Sequence, residues 1–565
     1  MTGFLQMPPT LDDAWASDRV LREAVEFHLG GELFPAAEAV LSEMGRRATA
    51  PETIALAMRA EREPPVHIPF APWGERIDEI RVSDAYTALG RMGVAAGVTA
   101  LPYESSPFGA LGRVVWGALM TLWGPSSALY SCPVAMTDAA ARTLLLHGGP
   151  ESLDVVSRLT TRDPDRAWTS GQWMTETAGG SDVGRTGTVA VQDGGVWRLT
   201  GTKWFTSATT SEMALTLARP VGGAEGSRGL ALFRIQRTLD DGTRNAIVVR
   251  RLKDKLGTRS LPTAELELEG AIAWPVGDPA DGGGVRRIAT MLNITRVHNA
   301  IGSAGALARG LSLARAYASV REVFGRSLAE MPAHRATLTD LAVDYAASIA
   351  LVMRCCELTG RAEQGEPGSG IESLLRGLTP VAKLATARWA VAGAAESMEA
   401  IGGVGYCEDS GVPALVRNAH VMPIWEGTTN VLSLDLLRAA QSSGSLQAIV
   451  VDARQSAGEV AGHPAVADAA AAVAVALDAI EQRAVALIGA DEDALSDARS
   501  IAMSLASTYA CARLCLQGAW AADKGDGRTA AAARRMAARG LLHAPGPLDL
   551  ELAMDDPLRT PETMR

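Results

Sequence analysis

Cysteine is scarce in this chain of 565 residues: six in all, Cys132, Cys355, Cys356, Cys407, Cys511 and Cys515, with no CxxC pair and no zinc-ligand spacing. So few thiols in so long a chain argue against a disulfide framework or a bound metal, and lead us to expect reduced thiols in a cytoplasm. Positive charge is also short. Lys and Arg number 53 against 64 Asp and Glu, a formal net of -11, which argues against a protein whose main task is gripping nucleic acid. No uncharged apolar stretch reaches ~18 residues, so no membrane span is expected. Met1-Thr-Gly-Phe-Leu-Gln-Met-Pro-Pro has no basic region followed by an apolar run, so no secretory leader is expected. Nor does any strand pass through a GxGxxG turn into a helix. Gly282-Gly-Gly lacks that context and reads as a loop, which argues against a Rossmann nucleotide site.

What is there describes a globular protein with a large core: 47% hydrophobic and 21% charged residues. Residues 1 to about 165 read as helices, with apolar positions at helical spacing in Asp18–Leu29, Ala36–Met44 and, behind a Ser83 or Asp84 cap, Val82–Leu89. Arg113–Trp123 is apolar nearly all round and reads as a buried helix. At about residue 166 the period changes to alternation. Trp197–Ser207, Met213–Ala218, Gly229–Ile235, Ala246–Leu252 and Ala264–Glu269 read as strands, with turns at Asp193-Gly194-Gly195 and Asp241-Gly242. From about 286 the chain is helical again, over Ile288–Val320, Ala333–Cys356, Leu374–Ile401 and a further helix after Asn430, which together predict a bundle. Residues 365–370 read as a loop within it. Residues 441–565 add an Ala-rich helical region whose end, after His543-Ala-Pro-Gly-Pro, is expected to be a loose tail.

Two stretches carry candidate chemistry. In Val421-Met-Pro-Ile-Trp-Glu-Gly-Thr-Thr-Asn430 one carboxylate, Glu426, stands between Trp425 and Gly427. Apolar surface disfavours a charged carboxylate and makes it a better base, while Gly427 admits a ligand close to the backbone. A plain helix start capped by Thr428 or Thr429 remains the alternative. In Trp173-Met-Thr-Glu-Thr-Ala-Gly-Gly-Ser-Asp182, Thr175 and Ser181 supply hydroxyls, and Gly179-Gly180 lets N–H groups converge on an anion. Here the alternative is a capped turn.

Together the motifs resemble the acyl-CoA dehydrogenase superfamily over about residues 75–440. Met174-Thr175-Glu176 with Gly180-Ser181-Asp182 looks like that family's flavin loop. Lys203-Trp-Phe-Thr-Ser207 resembles the strand lying against the flavin ring. Arg321-x-x-Phe324-Gly325 and Glu399-x-x-Gly402-Gly403-x-Gly405-Tyr406 resemble the two motifs that hold the FAD of a neighbouring subunit, and Trp425-Glu426-Gly427-Thr428 the motif bearing the catalytic base. Arg251-Leu-Lys-Asp-Lys-Leu-Gly-x-Arg-Ser260 and Ile401-Gly-Gly-x-Gly-Tyr-Cys-Glu408 resemble the AidB-like subfamily. The family usually has Gln where Glu399 stands, although AidB-like members share the Glu.

The resemblance implies an α+β fold: an N-terminal helical domain (1–165), a central antiparallel β domain (166–285), a four-helix bundle (286–440) and an additional helical region (441–565). It implies Glu426 as the catalytic base that takes an α-proton from an acyl thioester, with a β-hydride passing to flavin N5. FAD would be held by Met174, Thr175, Gly180, Ser181, Phe205, Thr206, Ser207, Arg321, Phe324, Glu399, Gly402, Gly403, Trp425, Thr428 and Asn430, and substrate by Ser181 and Arg296. Some relatives place the base on the first bundle helix; this chain has Thr295 there, which cannot serve. The resemblance further implies an acyl-CoA or acyl-carrier thioester substrate, an electron-transferring flavoprotein as acceptor, and a homotetramer. Two other activities fit the family: an oxygenase using reduced flavin and O₂, and DNA protection of the AidB kind. The Glu426 carboxylate favours dehydrogenation over the first. The acidic balance of residues 441–565, 11 Lys and Arg against 16 Asp and Glu, argues against the second.

Overall fold

The computed structural model describes residues 7–366, 370–487 and 493–544. The tail expected beyond residue 544 lies outside them. Helices α1 (Ala14–Ser17) and α2 (Arg19–Thr49) start under aspartate caps, Asp13 accepting from Trp15 N at 2.8 Å and Asp18 from Leu21 N at 3.0 Å. The two helices expected over 18–44 are both present within α2 and meet at a kink, where Gly30 leaves helical geometry at φ 70, ψ 170.

After α3 (Pro51–Arg62) the structure departs from the helical expectation. Val66–Phe70 (β1) and Arg76–Arg81 (β2) pair as an antiparallel hairpin. Alternating Val66-His-Ile-Pro-Phe suits a strand, and Gly74 at φ 91 makes the turn, a local signal outweighed in the sequence by the helical period on either side. Then come α4 (Asp84–Ala96), whose Ser83 cap accepts from Tyr86 N, α5 (Gly112–Trp123), α6 (Ser131–His147) and α7 (Leu153–Leu159). Every residue of α5 is buried, Arg113 included. Its guanidinium bonds Asp138 of α6 at 2.8 Å and Glu363 at 2.7 Å, and Asp138 also meets His298 Nε2 at 2.8 Å and Tyr103 OH at 2.7 Å.

Seven strands form the central sheet: β3 (Ser170–Gln172), β4 (Val189–Asp193), β5 (Val196–Ser207), β6 (Met213–Pro220), β7 (Ala231–Gln236), β8 (Ile247–Leu252) and β9 (Thr263–Pro275). Pairing is antiparallel except where β6 runs parallel to β3 and β4. Because β7 pairs both β6 and β9, strands β6, β4, β5, β9 and β7 close a ring. Gly194 and Gly195, both at positive φ, turn β4 tightly into β5. The β5–β9 register slips between Lys203 and Thr206, leaving a bulge at Trp204-Phe205.

Helix α8 (Gly284–Val320) leaves the sheet and runs the length of the bundle. A short hairpin, β10 (Glu322–Val323) and β11 (Arg326–Ser327), leads into α9 (Pro332–Glu363), and α10 (Ile371–Ile401) follows. Next are α11 (Val412–Ala419), α12 (Thr429–Ser443), α13 (Ser445–Gly458), α14 (Ala467–Leu487), α15 (Ala498–Asp523) and α16 (Arg528–Arg539). One continuous core joins α2, α5, the bundle and α13–α16, with Tyr509 of α15 and Val450 of α13 inside it. The additional helices are therefore part of the main body rather than an appendage. Among the described residues no helix is long and apolar enough to cross a membrane.

Candidate active site

Between α11 and α12 the chain makes a series of turns that ends at Glu426, φ 59, and Gly427, φ 104. Positive φ is ordinary for glycine but strained for glutamate, and such strain persists where surrounding contacts hold it. Those contacts come from three helices. Thr295, buried on α8, donates its hydroxyl to Glu426 Oε2 at 2.7 Å. Arg296 Nε reaches Glu426 O at 3.3 Å, and its Nη1 bonds Asp435 of α12 at 2.9 Å. Arg376 of α10 holds the same Asp435 at 2.6 Å. Lys383, fully buried on α10, donates to Gly427 O at 2.7 Å. Thr428 then caps α12 weakly, its hydroxyl 3.5 Å from Val431 N.

One wall of this site is apolar. Trp425 packs against the cluster holding Tyr86, Cys132, Met136, Met174 and Ile294, and burial pushes the Cys132 thiol up to about 12. Burial lowers the Lys255 ammonium to about 8, and it braces the loop before β9 through Leu261 O at 2.6 Å and Thr263 Oγ1 at 3.1 Å.

The second expected stretch folds as a loop pinned from below. Glu176 accepts from Gly187 N at 2.7 Å, from Thr188 Oγ1 at 2.5 Å and from Lys203 Nζ at 2.6 Å. Burial alone would raise the Glu176 carboxyl, but Lys203, Thr188 and Gly187 together outweigh it and hold the carboxyl below the ordinary range. The bulge in β5 turns Trp204 N toward Thr175 O, 2.9 Å away, which ties loop to strand. Met174 is buried and Thr175 half-buried; Gly180 and Ser181 are exposed. A Cβ at Gly180 would lie 3.2 Å from Thr175 Cγ2, so glycine is what lets the two approach.

The structure sorts the remaining expected residues. Phe205 stands 54% exposed, whereas the Thr206 hydroxyl is buried and donates to Ala264 O at 2.8 Å. Ser207 Oγ shares a 3.1 Å bond with Thr263 Oγ1. Asn430 is exposed, 3.5 Å from Arg499 Nη1. Arg296 lies in the site with its guanidinium on Glu426 O and Asp435, so substrate would have to share it. Phe324, Glu399, Gly402 and Gly403 are exposed and gather with Arg321 at the far end of the bundle, where Tyr317 and Ile401 pack together. Between Thr295 and Arg321, roughly 26 residues of α8 at ~1.5 Å each separate the two groups by about 40 Å. One chain does not bring them together.

Sequence reasoning missed Lys383, Asp435 and Arg376. The available signal was a lysine inside the apolar run Leu378–Ala387 of α10, where a charge is out of place unless something holds it.

Comparison with known proteins identifies the family. Three family models match in order: the AidB N-terminal domain (residues 6–166), the acyl-CoA dehydrogenase middle domain (171–271) and the acyl-CoA dehydrogenase C-terminal domain (282–441). The chain belongs to the acyl-CoA dehydrogenase family of flavoprotein oxidoreductases. Within it, the chain is 45% identical to acyl-CoA dehydrogenase family member 11 of Caenorhabditis elegans over 77% of this chain and 72% of that protein. It is 34% identical to AidB of Escherichia coli (strain K12), over 73% and 76% respectively. Among solved structures, Caenorhabditis elegans ACDH-11 in complex with C11-CoA superposes with a TM-score of 0.92 at 39% identity, covering 96% of this chain and 94% of that one.

Proposed function

We propose that the protein is an FAD-dependent acyl-thioester dehydrogenase in which Glu426 removes the α-proton and an electron-transferring flavoprotein takes the electrons onward. The observation that carries this reading is the Glu426 carboxylate, held in a strained turn beside apolar surface, with Thr295 in the other position where relatives place a base. The residues fit a flavin. Trp425 Nε1 is buried without a partner among the described residues, and Phe205 offers an exposed ring on the β5 bulge. The chemistry that FAD supplies when bound is acceptance of two electrons with the β-hydrogen.

The chain's own residues do the rest. Glu426 takes the α-proton, and Thr295 steers its carboxylate through the 2.7 Å bond. The Glu426 N–H, which meets no acceptor among the described residues, is available to the enolate oxygen that forms. Trp425 and its apolar neighbours keep water from the exchanged proton. Under this reading C11-CoA, the ligand of ACDH-11, stands for the substrate class: an acyl-CoA. The chain then divides at about 165, 285 and 440 into the four parts expected from its sequence.

Thr175→Val and Ser181→Ala are each expected to weaken FAD binding by roughly 1 kcal/mol, the scale of one hydrogen bond. Fluorimetric titration of the apoprotein with FAD checks this, and an unchanged dissociation constant in both variants would remove the loop from the site.

The separation between Glu426 and the Arg321 end supports a homotetramer in which a neighbour's Arg321, Phe324, Glu399 and Gly402-Gly403 complete each FAD site. A Cβ at Gly403 would meet nothing within its own chain, so glycine is not required there by internal packing. A guanidinium can grip a pyrophosphate by two bonds. Arg321→Ala is accordingly expected to release FAD and loosen the assembly together, seen by absorbance and light scattering. A monomer that keeps its FAD would contradict it.

Duplex DNA binding at physiological salt is expected to be undetectable. Of the Arg cluster on α16, Arg535 is paired with Asp340 at 2.7 Å and Arg539 with Asp344 at 2.7 Å, and phosphate contacts need cations left available. An anisotropy titration giving micromolar affinity with a steep salt slope would reverse this.

A further inference from the structure

Lys383 is fully buried, and lysine is almost never fully buried without a paired carboxylate. Among the described residues its hydrogen-bond acceptor is a carbonyl, Gly427 O, at 2.7 Å. The nearby Glu426 carboxylate is bonded to Thr295 instead. Opposite, Arg296 of α8 holds Glu426 O. The carbonyls of two consecutive positive-φ residues are thus each held by a cation from a different helix. Arg296 is itself anchored on Asp435; among the described residues Lys383 has no comparable carboxylate anchor.

We infer that Lys383 is a positioning residue for the base: its bond to Gly427 O locks the Glu426-Gly427 turn in the left-handed conformation that aims the carboxylate past Thr295. This rests on the reading of Glu426 as the base. The Gly427 carbonyl faces α10, where Lys383 donates to it at 2.7 Å, and a released turn would relax Glu426 toward the negative φ that a non-glycine residue prefers.

The lock also carries a charge. Burial pushes the Lys383 ammonium down to about 7, with Glu426 opposing the fall and Arg296 adding to it. The charged groups facing it are Glu426 from the turn, Arg296 from α8 and, behind Arg296, Asp435 of α12 and Arg376 of α10 itself. Below neutral pH a cation lies beside the base. Above it, a neutral amine still donates to Gly427 O, so the lock persists while the charge goes. The rate of proton removal should therefore show an inflection near neutral that belongs to Lys383.

The test compares wild-type holoprotein with Lys383→Met, which loses bond and charge, and Lys383→Gln, which keeps a donor but does not titrate. Anaerobic stopped flow with the acyl-CoA that best reduces the wild type, run from pH ~5.5 to ~9.5, gives the rates. Lys383→Met is expected to slow flavin reduction roughly 10- to 100-fold at nearly unchanged substrate affinity, as small misplacements of a base do. Lys383→Gln is expected to recover part of that rate and to lose the neutral inflection. A crystal structure of Lys383→Met is expected to show Glu426 at negative φ, with its carboxylate away from Thr295. An unchanged rate and pH profile, or a rate loss with the turn unmoved, overturns the inference. Should no acyl-CoA reduce the wild type, the reading of Glu426 as base fails by itself. The crystal structure then decides the lock: a relaxed turn upholds it and a retained one refutes it.

Discussion

Glu426→Gln is expected to keep its FAD and to lose reduction by acyl-CoA by roughly 10²- to 10⁴-fold, the range that a positioned general base contributes. Gln matches Glu in shape, and the Thr295 hydroxyl and Arg296 guanidinium that surround it have partners to spare, so the turn should stand. What disappears is the proton acceptor. Asp435, the next acid on α12, is committed to Arg296 and Arg376 and does not replace it. Stopped-flow reduction at a saturating acyl-CoA concentration reads the effect. A variant reduced at a near-normal rate would take Glu426 out of the reaction.

The second large effect is on stability. Asp138 has a fully buried side chain that accepts from Arg113 at 2.8 and 3.1 Å, from Tyr103 at 2.7 Å, and meets His298 at 2.8 Å. Burial pulls its carboxyl upward, yet Arg113 and then His298 outweigh burial and hold it well below the usual carboxylate range. Asp138→Ala leaves the Arg113 guanidinium with Glu363 as its one acid among the described residues, and is expected to cost about 3–5 kcal/mol, as breaking a buried pair does. The pH dependence follows from the sign of the shift. A depressed carboxyl contributes its stability above its unfolded value near 3.8 and loses it as pH falls through the folded one. The variant's deficit should therefore be full at neutral pH and shrink in acid. Urea unfolding at both pH values measures it; a neutral-pH deficit below about 1 kcal/mol would show that the network does not hold α5 to α6.

How much was legible depended on how local each feature is. The strand boundaries at Trp197–Ser207 and Met213–Ala218 emerge within a residue or two, because alternation and the Gly194-Gly195 turn are short-range signals. Glu426 stood out because an aromatic, a carboxylate and a glycine are adjacent in the chain. The hairpin at 66–81 was hidden by flanking segments with stronger helical period. The bulge at Trp204-Phe205 was invisible, since register slips depend on the partner strand. The long-range polar contacts were hidden for the same reason. Arg113 meets Glu363 across 250 residues, and Thr295 meets Glu426 across 131. Lys383 is a lone charge in an apolar stretch of α10, and its partner, Gly427 O, lies 44 residues away in the chain.

The α15 region shows the opposite limit. Its composition gave no reason to prefer an appendage over a core element, and only packing against α9, α10, α12 and α13 decides.

The most direct test of the central claim is to mix oxidised, FAD-loaded protein anaerobically with a panel of acyl-CoAs of graded chain length and follow the flavin absorbance. At least one member is expected to bleach the oxidised band within the dead time to seconds, and Glu426→Gln to bind the same acyl-CoA without bleaching. Full retention of the oxidised spectrum with every acyl-CoA, in protein shown to bind one of them, would contradict it.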